Sequence, residues 1–172
     1  MGHGSIEVAT AAERAFVRVR GTADFECSEP FRRFVRTMLD RQISDFVLDL
    51  GECTTMDSTF MGALTAVARD VGRRHPGKRV VLARLGDENH RLLATLGILL
   101  FFELTSEVVV PSALEPSPPA PLSTGELTRE VLDAHQALRS VSERNALEFR
   151  DVCEVLEREL VAKTEESSHR PR

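Results

Sequence analysis

The sequence lacks an excess of positive charge. Its 172 residues carry a formal net charge of −5, and neither the part before residue 122 nor the part after it is basic. Nucleic acid and anionic membrane are therefore poor first partners. Long hydrophobic runs are missing too: the longest uncharged apolar stretch, "LLATLGILLFF" from Leu92 to Phe102, falls well short of the roughly 20 residues a spanning helix needs. The start, "MGHGSIEV", has neither the basic patch nor the apolar run of a signal peptide. Cysteine is sparse. Cys27, Cys53 and Cys153 are odd in number and widely spaced, which suits neither a disulfide framework nor a zinc knuckle and points to a reducing compartment. Together these absences lead us to expect a cytoplasmic protein without a metal or other cofactor. Aromatics are scarce, with nine Phe and no Trp or Tyr.

What is present is the composition of an ordinary globular chain, 42% apolar and 28% charged, which argues against disorder over most of its length. The length accommodates one domain with a core plus an appendage, not two full domains. Proline marks the division. Five of the eight, Pro111, Pro116, Pro118, Pro119 and Pro121, fall in "PSALEPSPPAP", a stretch that favours an extended, stiff spacer. The expected organisation is a domain over 1–110, a Pro-rich linker over 111–124 and a helical extension over 125–166.

In the first part, "RAFVRVRG" alternates and closes on glycine, the pattern of a strand. "SEPFRRFVRTMLDRQ" places Phe31, Val35, Met38 and Leu39 at helical spacing, with Ser28 read as the cap and Pro30 in the first turn. "DFVLDL" reads as a strand, "GECTTM" as a short turn, and "STFMGALTAVARDVGRR" as a helix with Met61, Leu64, Ala68 and Val71 along one stripe. "KRVVLARL", "DENHRLLATLG" and "FFELTS" add a strand, a short helix stopped by Gly97 and another strand. This alternation predicts an α/β domain with a mixed or parallel sheet. In the extension, Leu127, Val131, Ala134, Leu138, Val141, Asn145, Val152 and Val155 follow a three-and-four spacing that slips near Glu148 and Phe149. One long helix or two separated by a kink is expected.

Between strand and second helix stand Asp57, Ser58 and Thr59. Each could cap the helix by accepting from its free N–H groups, worth about 1 kcal/mol. One cap suffices, and three candidates sit side by side. The same helix start suits an anion, so a phosphoryl group on Ser58 would be tolerated while adding roughly −1.5 to −2 charges. A docked partner with an acid about 4 Å away would lose about 4 kcal/mol per unit charge at an effective dielectric near 20, before solvent and salt relieve it. Thr59 reads as a cap rather than a second phosphosite, and Thr54 and Thr55 as turn residues.

"DLGECTTMDSTFMGAL" resembles the signature of the STAS domain, shared by anti-sigma-factor antagonists and the cytoplasmic tails of sulfate transporters, and "GDENHRLLATLGILLFFEL" is similar to that family's third helix, glycine and following strand. The resemblance runs over about residues 5 to 110. It implies a STAS-type mixed central sheet with helices packed mainly on one side. In the antagonist branch the serine after the aspartate is phosphorylated by a kinase that doubles as the anti-sigma factor, which carries over to Ser58 with Asp57 beside it. Gly62 matches the family's glycine in that helix. Many antagonists carry glycine directly after the motif, where this chain has Phe60. The expected partner-binding residues are Asp57, Ser58, Thr59, Phe60 and Met61, and the expected partner is a serine kinase/anti-sigma factor or related signalling protein.

Three other readings stand beside this one. A catalytic Ser58 would need a base and an elbow, yet no G-x-S-x-G surrounds it, and His3, His75, His90, His135 and His169 lack a sequence context marking one of them. There is also no P-loop, dinucleotide fingerprint or HExxH, so the chain is not read as an enzyme. A constitutive STAS subunit or scaffold of a larger complex, such as a lipid-transport ATPase or a signalling assembly, is the alternative function. The extension could pair as a coiled coil, making a homodimer with Asn145 setting register, or fold back on its own domain. Arg32, Arg33 and Arg36 on the first helix are read as a solvated face.

Overall fold

A computed structural model describes residues 4–168; His3 and His169 lie outside the described residues. The chain begins with a hairpin, β1 (Ser5–Ala11) and β2 (Arg14–Ala23), turned by Ala12 and Glu13, both left-handed at φ 48° and 62°. Two such residues in succession give the turn whose twist matches antiparallel strands. Then follow α1 (Phe25–Asp40), β3 (Asp45–Met56), α2 (Ser58–Arg74), β4 (Val80–Ala83), α3 (Asp87–Thr95), a single 3-10 turn at Leu99–Phe101, and β5 (Phe102–Thr105). With β6 (Glu115–Pro116) the strands make one six-stranded sheet in the order β5-β4-β3-β2-β1-β6. Strands β2 to β5 run parallel, with β5 at one edge, and β1 pairs antiparallel on both sides. The mixed α/β sheet expected from the alternation is therefore present.

The two faces of the sheet differ. Alternate residues Ala15, Val17 and Val19 of β2, Phe46, Leu48 and Leu50 of β3, and Val80 and Leu82 of β4 point toward the helices and form the main core with Phe31, Val35 and Leu39 of α1 and Phe60, Leu64 and Val71 of α2. The opposite residues Phe16, Val47 and Ala83 form a smaller cluster under Val108 and, from the linker, Leu114. On that second face Asp49, only 1% exposed, accepts from Arg18 Nε at 2.9 Å, from Arg84 Nε and Nη2 at 2.8 and 2.6 Å, and from the Gly51 amide at 3.2 Å. Burial, the largest single influence, pushes the Asp49 carboxyl up, and these hydrogen bonds together outweigh it, holding the group below its ordinary 3.8.

Three sequence expectations need correction here. "GECTTM" is not a turn: β3 runs through it to Met56, because its pairing with β2 continues past two register shifts to Ala23↔Met56, the kind of irregularity that lets a ladder absorb an extra residue. The cap of α1 is Asp24, whose carboxylate accepts from the Glu26 amide at 3.0 Å, so the helix starts before Ser28 and Pro30 lies in its second turn. The linker, expected as an extended, stiff spacer, is also held against the domain. Its β6 segment pairs with β1, the Ser117 amide donates to Ile6 O at 2.8 Å, the Ala120 amide to Glu29 Oε2 at 3.0 Å, and Arg33 Nη2 to Pro118 O at 2.8 Å. Arg33 therefore holds the linker and is not simply a solvated charge.

The extension is three helices, α4 (Thr124–Arg139), α5 (Glu143–Glu148) and α6 (Arg150–Ser168), instead of one or two. The slip at Glu148 and Phe149 is the junction of α5 and α6; the additional break at Ser140 to Ser142 arises where Ser142 caps α5 through the Asn145 amide at 3.1 Å. A capping box between Ser123 and Glu126 starts α4. Cys27, Cys53 and Cys153 are all free and buried; burial, first among the causes, raises the thiols of Cys27 and Cys53 to about 11, which leaves them poor nucleophiles.

Candidate functional site

The site lies where β2 and β3 end side by side. The Asp57 amide donates to Ala23 O at 2.9 Å, which joins the two strand ends and sets the N-termini of α1 and α2 next to each other. Asp57 has extended backbone (φ −88°, ψ 172°), and its Oδ1 accepts from the Phe60 amide at 2.7 Å. It is the cap of α2, as the sequence allowed, and it does this alone. Burial, the largest influence, raises the Asp57 carboxyl above its ordinary 3.8; the Phe60 amide opposes that, and the like charge of Asp24 adds to it.

Because Asp57 caps, the hydroxyls after it are free of that task. Thr59 is not the cap; it is buried in the first turn. Phe60 is 0% exposed and packs on Phe31 with ring centroids 5.6 Å apart, and Met61 is buried as well. Three of the five residues expected at a partner surface, Thr59, Phe60 and Met61, are thus buried in this arrangement, Phe60 and Met61 because they belong to the core that α2 forms with the sheet. Asp57 and Ser58 are half-buried.

What covers Ser58 is the extension. Helix α4 lies along α2, and Ser58 Oγ stands 3.0 Å from His135 Nε2. The other ring nitrogen, Nδ1, is 2.8 Å from Val131 O. A carbonyl only accepts, so Nδ1 carries the hydrogen, and in the neutral ring Nε2 is left as an acceptor for the Ser58 hydroxyl proton. The ring is buried beside Phe149, with centroids 5.6 Å apart. His135 was not singled out from the sequence. Its available signal was position: it follows Val131 by four and precedes Leu138 by three, a polar ring on the apolar stripe of the extension.

Close approach makes this contact possible. A Cβ built on Gly62 would overlap the carbonyl of Ala134, so glycine on one helix and alanine on the other let the backbones meet. Around this seam, Arg32 Nη1 of α1 lies 2.8 Å from Glu130 Oε2 and Nη2 lies 3.6 Å from Asp133 Oδ2, an ion pair without well-aligned hydrogen bonds. Arg32 is accordingly an anchor for α4, where a solvated face was expected. Arg69 lies over the Phe101 ring, 5.0 Å from its centroid, and donates to Ser140 through both Oγ and the carbonyl oxygen, the latter at 3.1 Å. Asn145, 1% exposed, donates from Nδ2 to Leu96 O at 3.0 Å and Leu138 O at 3.2 Å. Its amide is used inside the chain, so it does not serve the register of a coiled coil here. Beside the seam, a cavity of about 230 Å³ lies between α1, the linker and α4, lined among others by Phe25, Thr59, Leu122, Leu127 and Val131.

Among the described residues there is no cluster of His, Cys, Asp and Glu suited to a metal ion, and no helix is long and apolar enough to cross a membrane. The family model described as "Mlab, STAS domain" matches residues 6–99. The chain belongs to the STAS domain family. Solved structures agree on the fold. A candidate anti-sigma factor antagonist from Thermotoga maritima is 12% identical with a TM-score of 0.54, covering 60% of this chain and 87% of that one. The anti-sigma factor antagonist SpoIIAA in its unphosphorylated form is 15% identical with a TM-score of 0.50, covering 60% and 90%. The phosphorylated form of SpoIIAA, described as a Bacillus cell fate determinant, gives the same identity and TM-score, covering 60% and 93%. These likenesses concern the STAS fold. The STAS match ends before the extension, so α4 to α6 are an addition to the family's domain.

Proposed function

We propose that this STAS protein is a cytoplasmic, phospho-switched binding regulator of the anti-sigma-factor-antagonist type. Its Ser58 surface docks a serine kinase/anti-sigma factor, or a related signalling protein, while Ser58 is unphosphorylated. On modification the γ-phosphoryl group of ATP passes to Ser58 Oγ, the bond to the ADP leaving group breaks, the hydroxyl proton departs, and the partner releases. The chain itself performs no reaction. The observation that carries this reading is the division of labour at the start of α2: Asp57 caps the helix, so the Ser58 hydroxyl is not needed to cap its own domain. The charge added there is roughly −1.5 to −2, enough to weaken an interface that brings an acid nearby.

The test is a pair of full-length variants, Ser58→Ala and Ser58→Asp, used as bait in extracts of the native cell, with intact-mass and phosphosite measurement on the unaltered protein. Ser58→Ala should retain a kinase-type protein, and Ser58→Asp should retain at least tenfold less. Equal retention removes the switch. A constitutive STAS subunit or scaffold is the second reading, favoured by the neutral hydrogen bond that Ser58 already makes as an unmodified group; a cellular mass without phosphate, together with equal retention, would establish it in place of the first.

A further inference from the structure

Three observations about α4 converge. It lies on the face of α2 that begins with Ser58, its His135 accepts the Ser58 hydroxyl proton, and its Ala134 carbonyl occupies the space over Gly62. The STAS match at residues 6–99 ends before this helix. A helix beyond the matched segment thus covers the domain's candidate docking surface.

Accepting the reading of Ser58 as a phospho-switch, we propose that the extension is an autoinhibitory lid: α4 stands in the partner's place, and phosphorylation of Ser58 expels it. Closure and modification compete for one volume. A phosphoryl group on Oγ introduces a phosphorus and three further oxygens in the direction where Nε2 now stands at 3.0 Å, and it removes the only proton that the Nε2 lone pair was accepting. In the closed form the hydroxyl is engaged and its helix face is covered, so a partner meets only the fraction of molecules in which α4 has lifted, and its apparent dissociation constant rises in inverse proportion to that fraction. Of the polar fastenings of the seam, Arg69 with Ser140 is exposed, while the contacting atoms of Arg32 and Glu130 are buried without well-aligned hydrogen bonds; the small-residue approach at Gly62 and Ala134 is all-or-none because packed backbones do not deform gradually.

The experiment reads the lid on the full chain alone. Phosphoserine is installed at position 58 during translation, and amide hydrogen exchange at pH 8 is compared with that of the unmodified chain and of Ala134→Glu, which puts a bulky charged side chain into the seam without changing the STAS domain. The expected result is at least tenfold faster exchange of the α4 amides from Val131 to Leu138 in both altered chains, with β2 and β3 as protected as before. Unchanged α4 exchange in the phosphoserine chain overturns the proposal, whether or not Ala134→Glu opens. Loss of protection in β2 and β3 along with α4 also overturns it, because the extension would then be part of the fold and not a lid. Partner affinity plays no part in this readout, so the lid can fail while the Ser58→Ala and Ser58→Asp contrast stands, and the reverse.

Discussion

The interior of the STAS domain and its seam with the extension share one apolar core but differ in the balance of their contacts. In the domain, parallel strands bury a continuous apolar layer under α1 and α2, with Phe31, Leu48, Phe60 and Leu64 each at most 1% exposed. Between domain and extension the seam adds Leu138 and Phe149 to that same apolar core, with Val141 packed against it, and is otherwise built from a glycine meeting an alanine, one serine–histidine hydrogen bond, a buried asparagine and a few arginine contacts. Burying a large side chain stabilises by about 1.5 to 3 kcal/mol, whereas a single neutral hydrogen bond contributes only about 1 kcal/mol net. The difference is one of balance: the seam carries fewer large apolar side chains and more polar contacts than the interior of the sheet, so a change at a polar group should be felt more at the seam than in the core.

Substitutions should reproduce that ranking. Phe60→Ala removes a ring from the centre of the domain and should cost about 3 to 5 kcal/mol, read as a lower urea midpoint for the sheet; a cost under about 1 kcal/mol would mean that this helix face is not the core. Asp49→Asn leaves Arg18 and Arg84 without their carboxylate. Both arginines reach solvent, so the loss should be near 2 kcal/mol, less than for a fully enclosed pair. It carries a pH signature. Since the native Asp49 carboxyl titrates below its ordinary 3.8, its contribution is present above that pH and is lost as pH falls through the lower native value. Acid unfolding of Asp49→Asn, followed by circular dichroism, should show a shallower dependence on pH below 4 than the unaltered chain.

At the seam the effects should be smaller and confined. Gly62→Ala forces α2 and α4 apart and should cost about 1 to 3 kcal/mol, visible as faster exchange in α4 to α6 while the sheet keeps its protection; a matching loss in β3 would erase the distinction between the two regions. His135→Ala removes one hydrogen bond and a buried ring packed beside Phe149, and should cost about 1 to 3 kcal/mol, seen as faster exchange of the first turn of α2 and the middle of α4. Equal effects of Phe60→Ala and His135→Ala would break the comparison altogether.

How far the sequence revealed these two regions follows from the range of their contacts. The domain was legible because its signals are local: alternation in "RAFVRVRG", a helical stripe from Met61 to Val71, and Gly97, which adopts φ 69° after α3. Where local reading missed, a distant partner decided. "GECTTM" looks like a turn by composition and becomes strand only because β2 lies beside it. Leu127 to Val155 fits a coiled coil as well as a docked helix, and only the presence of Gly62 some 70 residues away on the facing helix favours docking. At the site, Asp57 and Ser58 were found from motif and capping chemistry. His135 was not, because a hydrogen bond across 77 residues leaves no mark on the spacing of either partner.

The fixed course of the linker sets how α4 returns after leaving. Since Ala120 is pinned to Glu29 and α4 begins at Thr124, the helix stays tethered by a leash of a few residues. A segment so leashed is present at its own binding surface at a local concentration on the order of millimolar. A rival arriving at micromolar concentration must therefore hold that surface roughly a thousandfold more tightly than the untethered helix would, which makes the brevity of the leash a dial on the threshold at which the protein answers.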